Sequence, residues 1–120
     1  MTWRNQRGSV TLVAAGAIAM MLVCILGIAD VGRALAERDR AQGAADAAAL
    51  AAAQDLALDS GDAAADAASF AQRNGAVLVR CSCEDGTFEA VVTVRRTFSG
   101  LQLLPGTHDV EATARAVVDT

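Results

Sequence analysis

VTLVAAGAIAMMLVCILGIA, residues 10–29, is a run of 20 residues without a single charge, and its reading decides the fold. As a helix it would extend roughly 30 Å, the thickness of the hydrocarbon core of a bilayer. The run therefore reads as a transmembrane helix. Arg4 and Arg7 precede it with no acidic residue among residues 1–9, whereas residues 30–120 carry 8 Arg against 14 Asp and Glu. Flanking arginines are retained on the cytoplasmic side, so residues 1–9 read as a cytoplasmic basic leader and everything beyond residue 29 as extracytoplasmic. Two other readings of the run compete. It could be the buried helix of a soluble protein, but 120 residues leave too little chain to surround it. It could be a secretory signal cleaved after Gly27, Ile28 and Ala29, which would release residues 30–120 as a small secreted binding domain.

The helical pattern does not stop at residue 29. Asp30, Arg33, Glu37 and Arg40 follow at spacings of three and four with alternating sign, which places them on one helix face as an ion-pair ladder. Asp30 there reads as solvating the helix end, with Arg33 as its partner. Residues 41–58, AQGAADAAALAAAQDLAL, combine high helix propensity with very small side chains, and Ala fills 16 of the 31 positions from 41 to 71. A surface this smooth lets another helix approach closely, yet buries little area alone. The helix-packing candidates are Gly16, Gly27, Gly32, Ala45, Ala49, Leu50 and Ala53.

The tetrapeptide DSGD at residues 59–62 reads as a break and an N-cap. A short amphipathic helix should follow, carrying Ala65, Ala68 and Phe70 and ending at Asn74 and Gly75. From Ala76 the apolar period changes to two. A two-residue turn at Asp85 and Gly86 pairs Cys83 with Phe88, Cys81 with Ala90, Val79 with Val92 and Val77 with Val94. A third strand alternates Val110, Ala112, Ala114, Ala116 and Val118 inward with Glu111, Thr113, Arg115 and Val117 outward. The expected fold is α+β: a long N-terminal helix, a short second helix and a small three-stranded antiparallel sheet that the helices cover. Residues 1–9, 10–29, 30–75 and 76–120 are respectively leader, span, Ala-rich helical region and β region.

Composition argues against several function classes. The only basic cluster is Arg95 with Arg96, too short a stripe to bind nucleic acid. One His, no Gly-x-Ser-x-Gly and no acid pair with a pocket to tune it leave no convincing catalytic set; a zinc or redox site can be imagined at Cys81 and Cys83 near Glu84, Asp85 and His108 but is the weaker reading, and no cofactor, metal or small-molecule substrate is expected. Cys81 and Cys83 lie two residues apart on one strand face, where they read as buried structural thiols beside Val79 and Phe88, while Cys24 reads as a small apolar residue of the span.

The order RGSVTL, apolar span, DVGRALAERDRAQGAADAAALAAAQDLA resembles the N-terminal region of TadE- and TadG-like proteins of the bacterial tight-adherence (Flp pilus) machinery. The resemblance covers about residues 4–58, is most specific over residues 33–53, and the strand ending ARA at residues 114–116 is similar to the short TadE-like relatives. It implies a pilin-like helix and a non-enzymatic pseudopilin role in pilus or secretion assembly. The implied partners are the lipid bilayer and other pilin-like or Tad proteins. It also implies a prepilin-peptidase junction at Gly8 and Ser9. Val13 stands where such chains usually carry Glu, which removes the carboxylate thought to pair with a neighbour's N-terminal amine. TadE-like chains further pair a strand cysteine with one in the second helix; residues 63–73 hold none, which leaves Cys81 and Cys83 to each other, as a candidate disulfide, or to another chain.

Overall fold

The absence of proline or any strong breaker before residue 59 lets one helix run without interruption. In the computed structural model, α1 spans Trp3–Leu58, 56 residues. At about 1.5 Å per residue this is roughly 84 Å of rod, and the molecule measures 86 × 25 × 16 Å. The structure describes residues 3–59, 61–84 and 86–119, with side chains from Gly8 onward. Ser60, Asp85 and the side chains of Arg4 and Arg7 lie outside the described residues.

At Asp59 the backbone turns through φ 49°, and Asp62 then caps α2 (Ala63–Arg73), its Oδ1 accepting the Ala65 amide at 3.2 Å. α2 ends at Asn74, whose amide reaches the Phe70 and Ala71 carbonyls, followed by Gly75 at φ 77°. The residues α2 buries are Ala63, Ala67 and Ala71, one turn apart each time. The expected set was different: Ala65 and Phe70 are exposed and Ala68 is half-buried. The smallest side chains allow the closest approach to α1, and the bulkier Phe70 is turned out beneath the Arg73 guanidinium, 5.1 Å from its ring centre.

β1 (Val77–Ser82), β2 (Glu89–Ser99) and β3 (Thr107–Val117) form an antiparallel sheet in the order β1-β2-β3. The third strand alternates as its sequence requires, with Ala112 and Ala114 buried, Val110, Ala116 and Val118 packed against the core, and Glu111, Thr113, Arg115 and Val117 outward. The first hairpin departs from the expected register. Cys81 pairs with Val92 instead of Ala90, and Leu78 with Val94, with a bulge between Leu78 and Arg80. The connection is longer than two residues because the Thr87 amide and hydroxyl both bond the Glu84 carbonyl, at 3.3 and 2.7 Å. The bulge at Val79 then changes which residues face inward: Leu78 and Cys81 meet the core, while Val77, Val79 and Phe88 are exposed.

Helices and sheet share one core. It holds Ala41, Ala44, Ala45, Ala48, Ala49, Ala52 and Ala53 of α1, the α2 alanines, and Ala90, Val92 and Val94 of β2. Val92 and Val94 are the largest side chains fully buried in it. Burial energy scales with apolar area, so a core made largely of methyl groups contributes little per residue, and stability rests heavily on close fit and on polar contacts at its rim.

Candidate functional site

Two features divide α1. From Gly8 to about Leu26 it stands clear of the rest of the fold, with Leu12, Ile18, Met20, Leu22 and Ile25 each more than half exposed. No residue of the most apolar stretch of this helix is buried, and the stretch is long enough to cross a membrane. Immediately beyond it, polar side chains bind the helix to the sheet.

Asp30, although 9 % exposed, is the first charge after the apolar run. Its Oδ1 accepts the Gln102 amide at 2.7 Å and its Oδ2 the Leu103 amide at 2.8 Å, both from the loop joining β2 to β3. One turn on, Arg33 Nε donates to the Ser99 carbonyl at 3.0 Å. Its guanidinium lies against Gly100, whose φ of 95° favours glycine. Glu37, one further turn along, is 3 % exposed and accepts from Arg40 at 2.9 Å and from Arg96 of β2. Arg96 also donates to the Gly75 carbonyl at 2.9 Å, tying the end of α2 to the same cluster. A side chain on Gly75 would run into that guanidinium.

These contacts correct the expected ladder. Glu37 does pair with Arg40, but Asp30 and Arg33 each turn to the β2–β3 region instead of to one another. Both bond backbone groups of the returning chain. The hydrogen bond from Arg96 and the charges of Arg96, Arg40 and Arg33 hold the Glu37 carboxyl below its ordinary value of 4.5, against the opposing effect of burial.

Asp30 makes two charge-assisted bonds, so asparagine there keeps one acceptor and sets an amide group against the other N–H. Asp30→Asn is expected to weaken the loop's attachment by about 1 kcal/mol. The measurement is hydrogen exchange at the Gln102 and Leu103 amides, which should speed up while amides in mid-β2 keep their protection.

A second polar contact opposes folding. The Asp66 carboxyl of α2 lies within hydrogen-bonding reach of the Asp55 carboxyl of α1, and that hydrogen bond, then their mutual repulsion, raises its affinity for a proton. Asp66→Asn keeps a donor for Asp55 and removes the repulsion. The variant should melt at a higher temperature than the parent at neutral pH. Because a raised carboxyl adds stability at low pH and loses it as pH rises through the folded value, the gain should shrink on acidification.

The structure distributes the remaining sequence candidates as follows. Gly8, Ser9 and Gly16 lie on the exposed part of α1, and Gly32 is exposed with open space around it. Gly27 faces Leu103, whose Cδ1 comes within 3.7 Å of where a side chain would begin. Ala45, Ala49 and Ala53 are buried within the chain's own core, whereas Leu50 is 56 % exposed. The sequence favours free thiols at Cys81 and Cys83; in the structure their sulfurs are joined, with Cα atoms 5.4 Å apart, and Cys24 is exposed on the apolar stretch. No group of three or more His, Cys, Asp and Glu converges among the described residues. The roles of Asp30 and Arg33 toward the loop escape sequence reasoning because their partners lie 66 to 73 residues away. The one available signal is Gly100, a glycine at the end of a strand pattern.

Comparison with curated proteins finds no match, and neither does comparison with solved structures. Residues 8–55 match the family model described as putative Flp pilus-assembly TadE/G-like, so the apolar stretch, the polar residues at 30, 33 and 37, and the buried alanines as far as Ala53 form a TadE/G-like segment.

Proposed function

We propose that this protein is a bilayer-anchored, non-catalytic pseudopilin-like subunit that helps assemble a Flp-type pilus or a related secretion apparatus by helix packing. The observation that carries the reading is the exposed apolar stretch lying inside the TadE/G-like segment. The family supports a pilus-assembly role and interaction with other Tad components. The apolar helix supports anchoring, and Arg4 and Arg7 support an N-terminus in the cytoplasm.

Lipid offers no hydrophobic drive between helices, so association in the bilayer depends on close fit, for which Gly16 and its neighbouring alanines leave room. Val13 supplies no carboxylate to a neighbour's amine, which favours an accessory or initiating subunit over a filament subunit. Release of residues 30–120 as a secreted domain accords less well with this fold, because cleavage after Ala29 would cut through α1 beside the contact of Gly27 with Leu103.

The test combines alkaline extraction of native-host membranes with the intact mass of the mature chain. Retention in the membrane pellet with Ser9 at the N-terminus means processing at the prepilin junction. Retention with Met1 means a permanent anchor. A soluble chain starting near Asp30 would overturn the anchored reading in favour of the secreted domain.

A further inference from the structure

The loop between β2 and β3 carries an exposed apolar pair outside the span. Leu103 and Leu104 are 44 % and 60 % exposed, and Pro105 follows them. The loop is placed at the outer end of the apolar stretch, with Leu103 against Gly27. Gly27 precedes the last residue of the charge-free run, Ala29, by two positions, or about 3 Å of helix rise. On the same helix face, four residues to either side of Gly27, Val23 and Val31 are 56 % and 60 % exposed, so the leucines adjoin the helix's exposed apolar surface.

Side chains take three of the loop's backbone groups and the carbonyl of the last β2 residue. The Gln102 and Leu103 amides are taken by Asp30, the Ser99 carbonyl by Arg33, and the Leu104 carbonyl by His108 Nε2 at 2.9 Å. Pro105 has no amide to satisfy. A loop facing water needs none of these partners. A loop entering hydrocarbon does, because each unpaired backbone group there costs several kcal/mol.

We propose that residues 101–105 form a second membrane contact, in which Leu103 and Leu104 insert into the outer leaflet at the boundary of headgroups and acyl chains while Asp30 and Arg33 hold the backbone closed. The inference rests on the anchored reading of α1. The occupant is lipid, since the apolar surface is continuous with the span that lipid already covers. The consequence is that the sheet is held against the bilayer at two points, which fixes its tilt relative to the membrane.

The test uses tryptophan emission from the full chain reconstituted at high lipid excess in phosphatidylcholine and phosphatidylglycerol vesicles, with and without phosphatidylcholine brominated near the top of the acyl chains. The single native tryptophan is first removed by Trp3→Phe. Reporters are then introduced separately as Leu104→Trp, Leu103→Trp, Met21→Trp in the span, and Val117→Trp at the far end of β3. Resistance of the sheet arginines to trypsin confirms that each variant is folded, and Leu104→Trp, at the more exposed position, carries the test if Leu103→Trp is not.

The expected result is a blue shift and loss of emission on brominated lipid for the span and loop reporters, with Val117→Trp unchanged. Quenching of Met21→Trp without the loop reporters overturns the second contact and leaves the anchor standing. Failure to quench Met21→Trp sinks the anchor and the loop contact together. Loop emission that is blue-shifted yet unquenched, and that varies with the protein-to-lipid ratio, assigns the leucines to a second copy and overturns the lipid contact. Quenching of Val117→Trp as well would lay the whole sheet on the bilayer and overturn a contact specific to the loop.

Discussion

Glu37→Ala is expected to cost about 3 kcal/mol and to loosen the sheet from α1, because it strips the buried end of a charge pair and leaves the other end in place. The Glu37 side chain is 4 % exposed and that of Arg96 21 %, so neither can turn fully to water without opening the rim of the core. Arg96 would retain only the Gly75 carbonyl. The expected cost sits at the low end for a buried pair, since Arg40 on the other side of Glu37 is 61 % exposed and the covering layer is thin. Glu37→Gln keeps an acceptor for Arg96 without the charge and should lose less. The effect has a defined pH signature. Folding lowers the Glu37 pKa, so its contribution is complete above the ordinary 4.5 and fades as pH falls through the lower folded value. Calorimetric melting of the full chain in detergent micelles, taken from neutral pH downward, should show the parent converging on Glu37→Ala. Parallel curves at all pH values would mean that Glu37 acts by packing alone. The exposed pairs of Arg95 with Glu111 and Arg115 with Glu89 serve as controls, since surface ion pairs contribute little.

What the sequence makes legible follows from the range over which its rules act. The period of two in β3 and the unbroken propensity of residues 30–58 are local patterns, and both elements form as those patterns require. The DSGD break and the Asn74 and Gly75 stop depend on capping chemistry within four residues, and they too are found where expected. The first hairpin is harder to read because several registers place apolar residues opposite each other when one strand reads VLVRCSC and the other AVVTV. What selects among them is the Thr87 contact with Glu84 and a bulge at Val79, and neither leaves a periodic trace. Ala63, Ala67 and Ala71 were indistinguishable from Ala64, Ala65 and Ala68 for the same reason: alanine on every face erases the stripe that marks a buried side. The candidate site shows the limit most clearly. Asp30, Arg33 and Glu37 read as neighbours on one helix, and only the return of the chain from residue 96 to residue 103 turns them into the attachment of a sheet.

Ala48→Leu is expected to destabilise the fold by up to about 3 kcal/mol, although leucine is nearly as good a helix former as alanine and raises local hydrophobicity. Ala48 is fully buried in a core to which α1, α2 and the sheet all contribute, and its neighbours in that core are themselves mostly alanine. At a fully buried position the larger isobutyl side chain must press the layers apart, and backbones that approach across methyl groups have no side-chain rotamers with which to adapt. Leu50→Ala, two residues away on an exposed face, removes the same kind of side chain and should leave the fold unchanged within about 0.5 kcal/mol. The comparison is made by brief trypsin treatment of the full chain in micelles across a urea series, following cleavage at Arg80, Arg95, Arg96 and Arg115 in the sheet. Ala48→Leu should be cleaved at lower urea than the parent, and Leu50→Ala at the same urea. Equal resistance of all three would mean that the layers can part without cost and that the alanine core is not what holds the sheet to the rod. If Leu50→Ala keeps its trypsin resistance but lowers recovery of the chain with other Tad components from native membranes, the exposed leucine belongs to the packing surface proposed for assembly. The buried alanines then serve the fold, and Leu50 serves its partners.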